Sequence, residues 1–368
     1  MGAWRCSTEA REPQAGAWRE VCETKRPDVN TLGQDVDPLA VETIPQLVSE
    51  RVRLTPSAPF GLERTETGWH EISWSEFGGE VERVAAGLAA LGIEPGDCVA
   101  VIGWTRPEWC VADIAIQWAG GVCVGVYPTL TADQTAFILD DAGCKVAIVE
   151  DAEQLAKVRG AGTVEHTVVW GALPPSERAA LAWSALAGPP IADRSRPESP
   201  AVILYTSGTT GRPKGAVLTH RHLIELLRGG ASAGDIRFGD ITMAFLPMAH
   251  AAEHVLSFYS RIRFGSVGAF ARSVETVIDD AREVRPTYFG AVPRIFEKIH
   301  QRIELGLEQA PAYRRLLARA CFAVGRACAQ AQREGDAAPL WARILHPMAD
   351  RLVLSRIREI FGGRVRYF

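Results

Sequence analysis

Residues 205–220 read YTSGTTGRPKGAVLTH, a stretch in which glycine, proline, lysine and hydroxyl side chains crowd together. No helix or strand favours that mixture. The hydroxyls of Thr206, Ser207, Thr209 and Thr210 are hydrogen-bond donors. Gly208 and Gly211 let the backbone come close to a ligand and aim successive N–H groups at it. Lys214 adds a mobile positive charge. Together these groups make a cradle for phosphate. It is not a Walker A loop, because Pro213 rather than glycine precedes Lys214, and no G-x-G-x-x-G dinucleotide fingerprint is present.

A second cluster with chemical potential is HAAEH, residues 250–254. On an α-helix His250 and His254 would share a face, with Glu253 as a base, the H-x-x-E-H pattern of zinc proteases. The pattern fixes only three positions, and no third protein ligand can be identified downstream. His254 also reads as a plain structural histidine.

The elements around these clusters alternate. SEFGGEVERVAAGLAALG places Phe77, Val81, Val84, Leu88 and Leu91 on one helical stripe, with Ser75 expected as N-cap and Gly92 at the C-cap. CVAVIGW is a short apolar strand, Pro107 opens the next helix, and GVCVGVY is another strand. TADQ, Thr131 to Gln134, is a capping box for a helix ending near Ala142, followed by the strand KVAIVE. RSRPESP breaks the pattern, and the strand AVILYT leads directly into the cradle. ITMAFLP, GSVGAF and TYFGAV read as further strands, and residues 293–362 as mainly helical, with Pro293 opening a helix. Short buried strands alternating with helices imply an α/β fold of helix-flanked, mostly parallel sheets. Residues 1–40 are polar and aperiodic, and read as a loosely ordered extension.

Thr206 to Gly215 resembles, residue for residue, the signature loop of the adenylate-forming superfamily, which includes acyl-CoA synthetases. The stretches RPEWCVADIAIQWAGGVCVGVYPTLTADQTAFILDDAG, FLPMAHAAEH and VRPTYFGAVPRIFEKI resemble the N-terminal part of long-chain fatty-acyl-CoA synthetases, so the resemblance covers roughly residues 43–368. It implies ATP-dependent joining of a fatty acid to AMP and transfer of the acyl group to coenzyme A. Carried over by position, Thr206 to Gly211 and Lys214 contact the β- and γ-phosphates of ATP, and Thr206 holds Mg²⁺. His250 stands beside the acyl carboxylate and His254 near the acyl tunnel. The family's adenine-packing turn, ribose aspartate, second Mg²⁺ contact and small C-terminal lysine domain have no counterpart up to Phe368. Residues 41–368 are therefore expected to be a partial AMP-binding domain, inactive by itself. A non-catalytic binding or scaffold remnant is the remaining alternative.

Composition bounds the partners. The net charge of −4 gives no bulk signal for nucleic acid. Residues 311–368, however, carry 11 arginines against 4 acidic residues. That excess suits a solvated helix face, a surface for anionic lipid or half of an interface. Eight scattered cysteines with no C-x-x-C pair, and no signal-peptide core, suggest a reducing cytoplasm, with peripheral membrane contact through the basic region left open. The apolar run WCVADIAIQWAGGVCVGVY contains Asp113 and Gln117 and reads as a buried helix and strand rather than a membrane span.

Overall fold

The structure, a computed structural model, describes residues 37, 40–173, 177, 179–206, 212–229 and 236–368. The expected N-terminal extension lies almost wholly outside the described residues. Two compact units are present: one comprises the chain up to Asp240 together with Ala244–Ala271, the other Ile241–Met243 together with Arg272–Phe368.

The first unit is built on a seven-stranded sheet. In chain order its strands are β3 (Cys98–Ile102), β4 (Val122–Val126), β5 (Cys144–Val149), β6 (His166–Val169), β7 (Leu181–Ala182), β8 (Pro200–Thr206) and β9 (Lys214–Thr219). Their spatial order is β7-β6-β5-β3-β4-β8-β9. All pairings are parallel except the last, where β8 and β9 form an antiparallel hairpin. β3 and β4 are almost completely apolar and almost completely buried, as strands covered on both faces must be. A smaller sheet pairs β1 (Pro59–Thr65) antiparallel with β2 (Gly68–Ser73) and parallel with β11 (Val267–Phe270). The helical layer comprises α1 (Ile44–Leu54), α2 (Trp74–Ala90), α3 (Pro107–Trp118), α4 (Ala132–Ala142), α5 (Ala152–Val158), α6 (His220–Gly229) and α7 (Tyr259–Phe264).

Local signals set the helix ends. Thr131 and Gln134 form the expected capping box on α4, and Gly143 closes that helix in the left-handed region. Pro107 is the first residue of α3. The N-cap of α2 is Ser73, not Ser75. The Ser73 hydroxyl accepts from the Glu76 N–H, and the Glu76 carboxylate accepts from the Ser73 N–H, while the Ser75 N–H is taken by the Pro56 carbonyl. α3 is buried on every side, Asp113 and Gln117 included, so the apolar run read as helix plus strand is α3 followed by β4. No helix among the described residues is long and apolar enough to cross a membrane.

The second unit is mainly helical: α8 (Val277–Val284), α9 (Pro293–Glu308), α10 (Ala312–Glu334), α11 (Leu340–Ala349) and α12 (Ser355–Arg358), with the short strand β10 (Ile241–Ala244) contributing its first three residues. TYFGAV is not a strand. Thr287 and Tyr288 both donate to the Ile241 carbonyl, and a single parallel bridge joins Tyr288 to Tyr367. One bridge satisfies too few backbone groups to make a strand, although Phe289, Phe361 and Phe368 pack their rings together beside it.

Candidate functional site

The expected cradle begins at the end of β8 and ends at the start of β9, which pair antiparallel. Thr206 is the last residue of β8 and Lys214 the first of β9, and they are register partners. Both are exposed. Ser207, Gly208, Thr209, Thr210 and Gly211 lie outside the described residues. The stems of this turn are tied to α4 from both sides. The Tyr205 hydroxyl donates to Asp141 Oδ2 at 2.6 Å, and the Arg212 guanidinium lies 5.4 Å above the centre of the Phe137 ring. Burial, with Asp141 as a further cause, pushes the Tyr205 phenol well above its ordinary range, so it remains a donor. Gly215 has a steric reason: a Cβ there would lie 2.8 Å from Ile203 Cγ2 and 3.1 Å from Tyr205 Cζ. The sequence therefore places two donors of opposite stems at one sheet end, on a rigid root.

His250 follows β10 in a turn, and that segment is pinned to the main sheet. The Thr105 hydroxyl donates to the Leu246 carbonyl. Gly125 of β4 lets Ala249 approach so closely that an added Cβ would stand 3.0 Å from Ala249 Cα. His250 is exposed, and its Nδ1 accepts from the Ala252 N–H at 3.0 Å. That bond occupies Nδ1. A π-helix, Ala252–Phe258, follows at once. Such wide turns occur often at functional sites.

His254 is placed differently. It is fully buried, and its Nε2 lies 3.0 Å from both Asp113 Oδ1 and the Tyr259 hydroxyl. Tyr259 donates to Asp113 Oδ2 at 2.9 Å, and Gln117 Nε2 donates to Asp113 Oδ1 at 2.8 Å and to the Tyr259 oxygen at 2.9 Å. The His254 ring meets Trp109 edge to face at 5.0 Å. Burial, with Asp113 adding to it, raises the Tyr259 phenol far above its usual range, so that phenol stays protonated as the donor. Burial does the same for the Cys123 thiol, again with help from Asp113.

The zinc-protease reading of HAAEH is not supported by this geometry. His250 is exposed and His254 buried, so they share no face. Among the described residues, His254 shares a metal-type cluster only with Asp113 and Cys123, whose ligand atoms lie within 4.8 Å of one another, and not with His250. Glu253 is no free base. It is buried and ion-paired with Arg261 Nη2 at 3.1 Å. Burial pushes its carboxyl up and the Arg261 charge opposes that shift. Arg261 in turn lies over the Phe258 and Phe270 rings.

The network of Asp113, Gln117 and Tyr259 around His254 was not read from the sequence. Its trace was present in Asp113 and Gln117, two polar residues one helical turn apart in an otherwise apolar segment. Their partner Tyr259 is remote in sequence, and only the fold brings it to them.

Residues 49–350 match the family described as AMP-binding enzyme. The chain belongs to that family. Among curated members of the AMP-binding enzymes, the chain is 29% identical to the long-chain-fatty-acid–CoA ligase ACSBG1 of Rattus norvegicus over 326 residues, covering 82% of this chain and 44% of that one. It is also 29% identical over 341 residues to the long-chain-fatty-acid–CoA ligase FadD15 of Mycobacterium bovis, covering 88% of this chain and 55% of that one. The N-terminal domain of FACL13 from Mycobacterium tuberculosis superposes with a TM-score of 0.62 at 27% identity, over 71% of this chain and 65% of that one. The chain thus spans about half the length of the curated relatives it matches. The helix-flanked, mostly parallel sheet is the fold of adenylate-forming N-terminal domains.

Proposed function

We propose that this chain supplies the phosphate-binding and acyl-facing part of an ATP-dependent fatty-acyl-CoA ligase. The observation that carries the reading is the β8–β9 hairpin: it sets Thr206 opposite Lys214 at the ends of the glycine- and hydroxyl-rich loop. In this reading a fatty-acid carboxylate oxygen attacks the α-phosphorus of ATP, and the bond to the β-phosphate oxygen breaks. Pyrophosphate leaves with additional negative charge. In this reading Thr206 and Lys214, with the donors that the sequence supplies between them, would meet that charge, which is the kind of stabilisation that lowers such a barrier. Thr206 offers a hydroxyl oxygen, a ligand type that suits Mg²⁺ shared with phosphate oxygens. A Mg²⁺ ion held at Thr206 would supply charge neutralisation for the departing phosphates. His250, exposed and with Nδ1 bonded to the Ala252 N–H, would donate to the acyl carboxylate from Nε2. His254, fully buried and held by Asp113 and Tyr259, would support the acyl site from within the core. Coenzyme A then takes the acyl group through its thiol, and AMP leaves.

Long-chain fatty acids are the substrate class that the names of the relatives favour. The test joins this chain to the C-terminal half of a long-chain acyl-CoA ligase and measures ATP–pyrophosphate exchange with palmitate, with acetate and with no acid. Exchange that requires palmitate supports the reading. A folded, ATP-binding fusion whose exchange ignores every fatty acid would reject it.

A further inference from the structure

His250 is held through its backbone by residues that its ring does not touch. Its N–H donates to the Pro247 carbonyl at 2.9 Å, and its carbonyl accepts from two successive N–H groups, those of Glu253 and His254, each at 3.0 Å. Both of these donors carry buried polar side chains with partners of their own. Glu253 is ion-paired with Arg261, further along the same helical run. His254 Nε2 lies 3.0 Å from Asp113 Oδ1 of α3 and from the Tyr259 hydroxyl, which itself donates to Asp113 Oδ2. His254 Nδ1 has no partner among the described residues, so Asp113 and Tyr259 are the polar anchor of that ring. On the other side of His250, the Leu246 carbonyl accepts from the Thr105 hydroxyl. Thr105 and Asp113 both belong to the stretch that leaves β3 and forms α3. That one stretch therefore grips the chain before and after His250.

We propose that Asp113, acting through His254 and Tyr259, and Thr105, acting through Leu246, are positioning residues that set His250 for the acyl carboxylate. Stability alone does not account for the network, since well-packed apolar side chains in place of a buried charged set are often neutral or stabilising. What the polar set adds is register. Asp113 also accepts from Gln117, so its carboxylate is fixed in one orientation and fixes His254 in turn. The π-helix Ala252–Phe258 follows His250 at once, so α-helical spacing does not set this register and the side-chain anchors must. Asp113 and Thr105 are both buried, so each reaches a substrate only through the His250 segment. The role rests on the ligase reading of His250, whereas the two anchors are features of the chain itself.

The experiment has two arms. In the full chain alone, backbone hydrogen exchange is read residue by residue by mass spectrometry with gas-phase fragmentation. Tyr259→Phe should speed exchange of the Glu253 and His254 amides, and Thr105→Val that of the His250 amide, each about tenfold, with β3 and β4 as slow as in the parent. Asp113→Asn should act at least as strongly as Tyr259→Phe, and where it fails to fold the two hydroxyl deletions decide. In the fused ligase, Tyr259→Phe and Thr105→Val should each lower kcat/KM for palmitate by at least about tenfold while KM for Mg-ATP holds, a split that lost stability does not produce. Placed on His250→Ala, neither should lower it further, because a residue that works through His250 has nothing left to position. Equal losses in the presence and absence of His250, or parent-like amide exchange in both hydroxyl deletions, would overturn the assignment. A damaging His250→Ala beside silent Tyr259→Phe and Thr105→Val rejects the positioning role alone. Palmitate-dependent exchange at the parent rate in His250→Ala rejects the reading of His250, and the positioning role falls with it.

Discussion

Thr206 and Lys214 stand directly opposite each other, as register partners closing the antiparallel pair β8–β9. Among the described residues, this is the one antiparallel pairing in the seven-stranded sheet. The pairing sets Thr206 and Lys214 side by side at one end of the sheet. Lys214→Ala removes the positive charge without touching the core. In the fused ligase it should slow palmitate-dependent pyrophosphate exchange by about 2.7–4 kcal/mol of transition-state stabilisation. The melting temperature should hold. Exchange at the unsubstituted rate would show that Lys214 does not meet the phosphates.

The final glycine of the motif is a steric requirement, and this gives a second prediction. Gly215→Ala would put a methyl 2.8 Å from Ile203 Cγ2, in a strand that is itself tethered through Tyr205 to Asp141. Relief requires moving β9 or that tether. The expected cost is about 1–3 kcal/mol, seen as a lowered melting temperature, together with weaker Mg-ATP binding. An alanine variant as stable as the parent would mean that β9 can shift freely.

How much of this was legible beforehand depended on the range of the interaction. The capping box at Thr131, the proline start at Pro107 and the glycine-rich turn are written in a few adjacent residues. So is the α/β alternation. Ser75 was expected as the cap of α2, but the helix starts two residues earlier, capped by Ser73. Only the reciprocal bond with Glu76 decides between them. TYFGAV has strand composition but finds one partner residue in Tyr367 and no ladder. KGAVLT was hidden because its pairing begins at a lysine assigned to the loop. His254 looked like the companion of His250, yet Asp113 and Tyr259 claim it from distant parts of the chain.

A third prediction concerns pH. Burial lowers the His220 imidazole from an ordinary 6.5 to about 4, and its Nδ1 accepts from the Ile44 N–H at 3.3 Å. The unfolded chain takes up this proton near the ordinary value, and the folded chain only near the lowered one. The stabilisation is therefore complete above the ordinary value, declines as pH falls through the window between the two, and is lost below it. The full effect is about 3 kcal/mol. His220→Asn retains an acceptor for Ile44 and cannot titrate. Its melting temperature should fall less steeply than the parent's between about pH 7 and pH 4. Parallel curves for the two proteins would remove His220 as a source of acid sensitivity.

The last prediction separates a structural Glu253 from a catalytic one. Glu253 and Arg261 form a buried pair at 3.1 Å, and Arg261 also lies over Phe258 and Phe270, where Gly268 leaves it room: a Cβ at that glycine would stand 2.6 Å from Arg261 Nη1. Arg261→Met keeps much of the apolar stem but leaves the Glu253 carboxyl buried with no charge beside it. Removing one partner of such a pair costs about 3–5 kcal/mol. Glu253→Gln by itself leaves the guanidinium unpaired and should also destabilise. The double variant leaves neither charge buried, so it should be more stable than Arg261→Met alone, giving a clear coupling in a double-mutant cycle. Denaturant melts of the four proteins measure it. Additive losses would mean that the two side chains do not act as a pair. Loss of a peptidase activity on Glu253→Gln, with stability untouched, would instead return Glu253 to the role of a base.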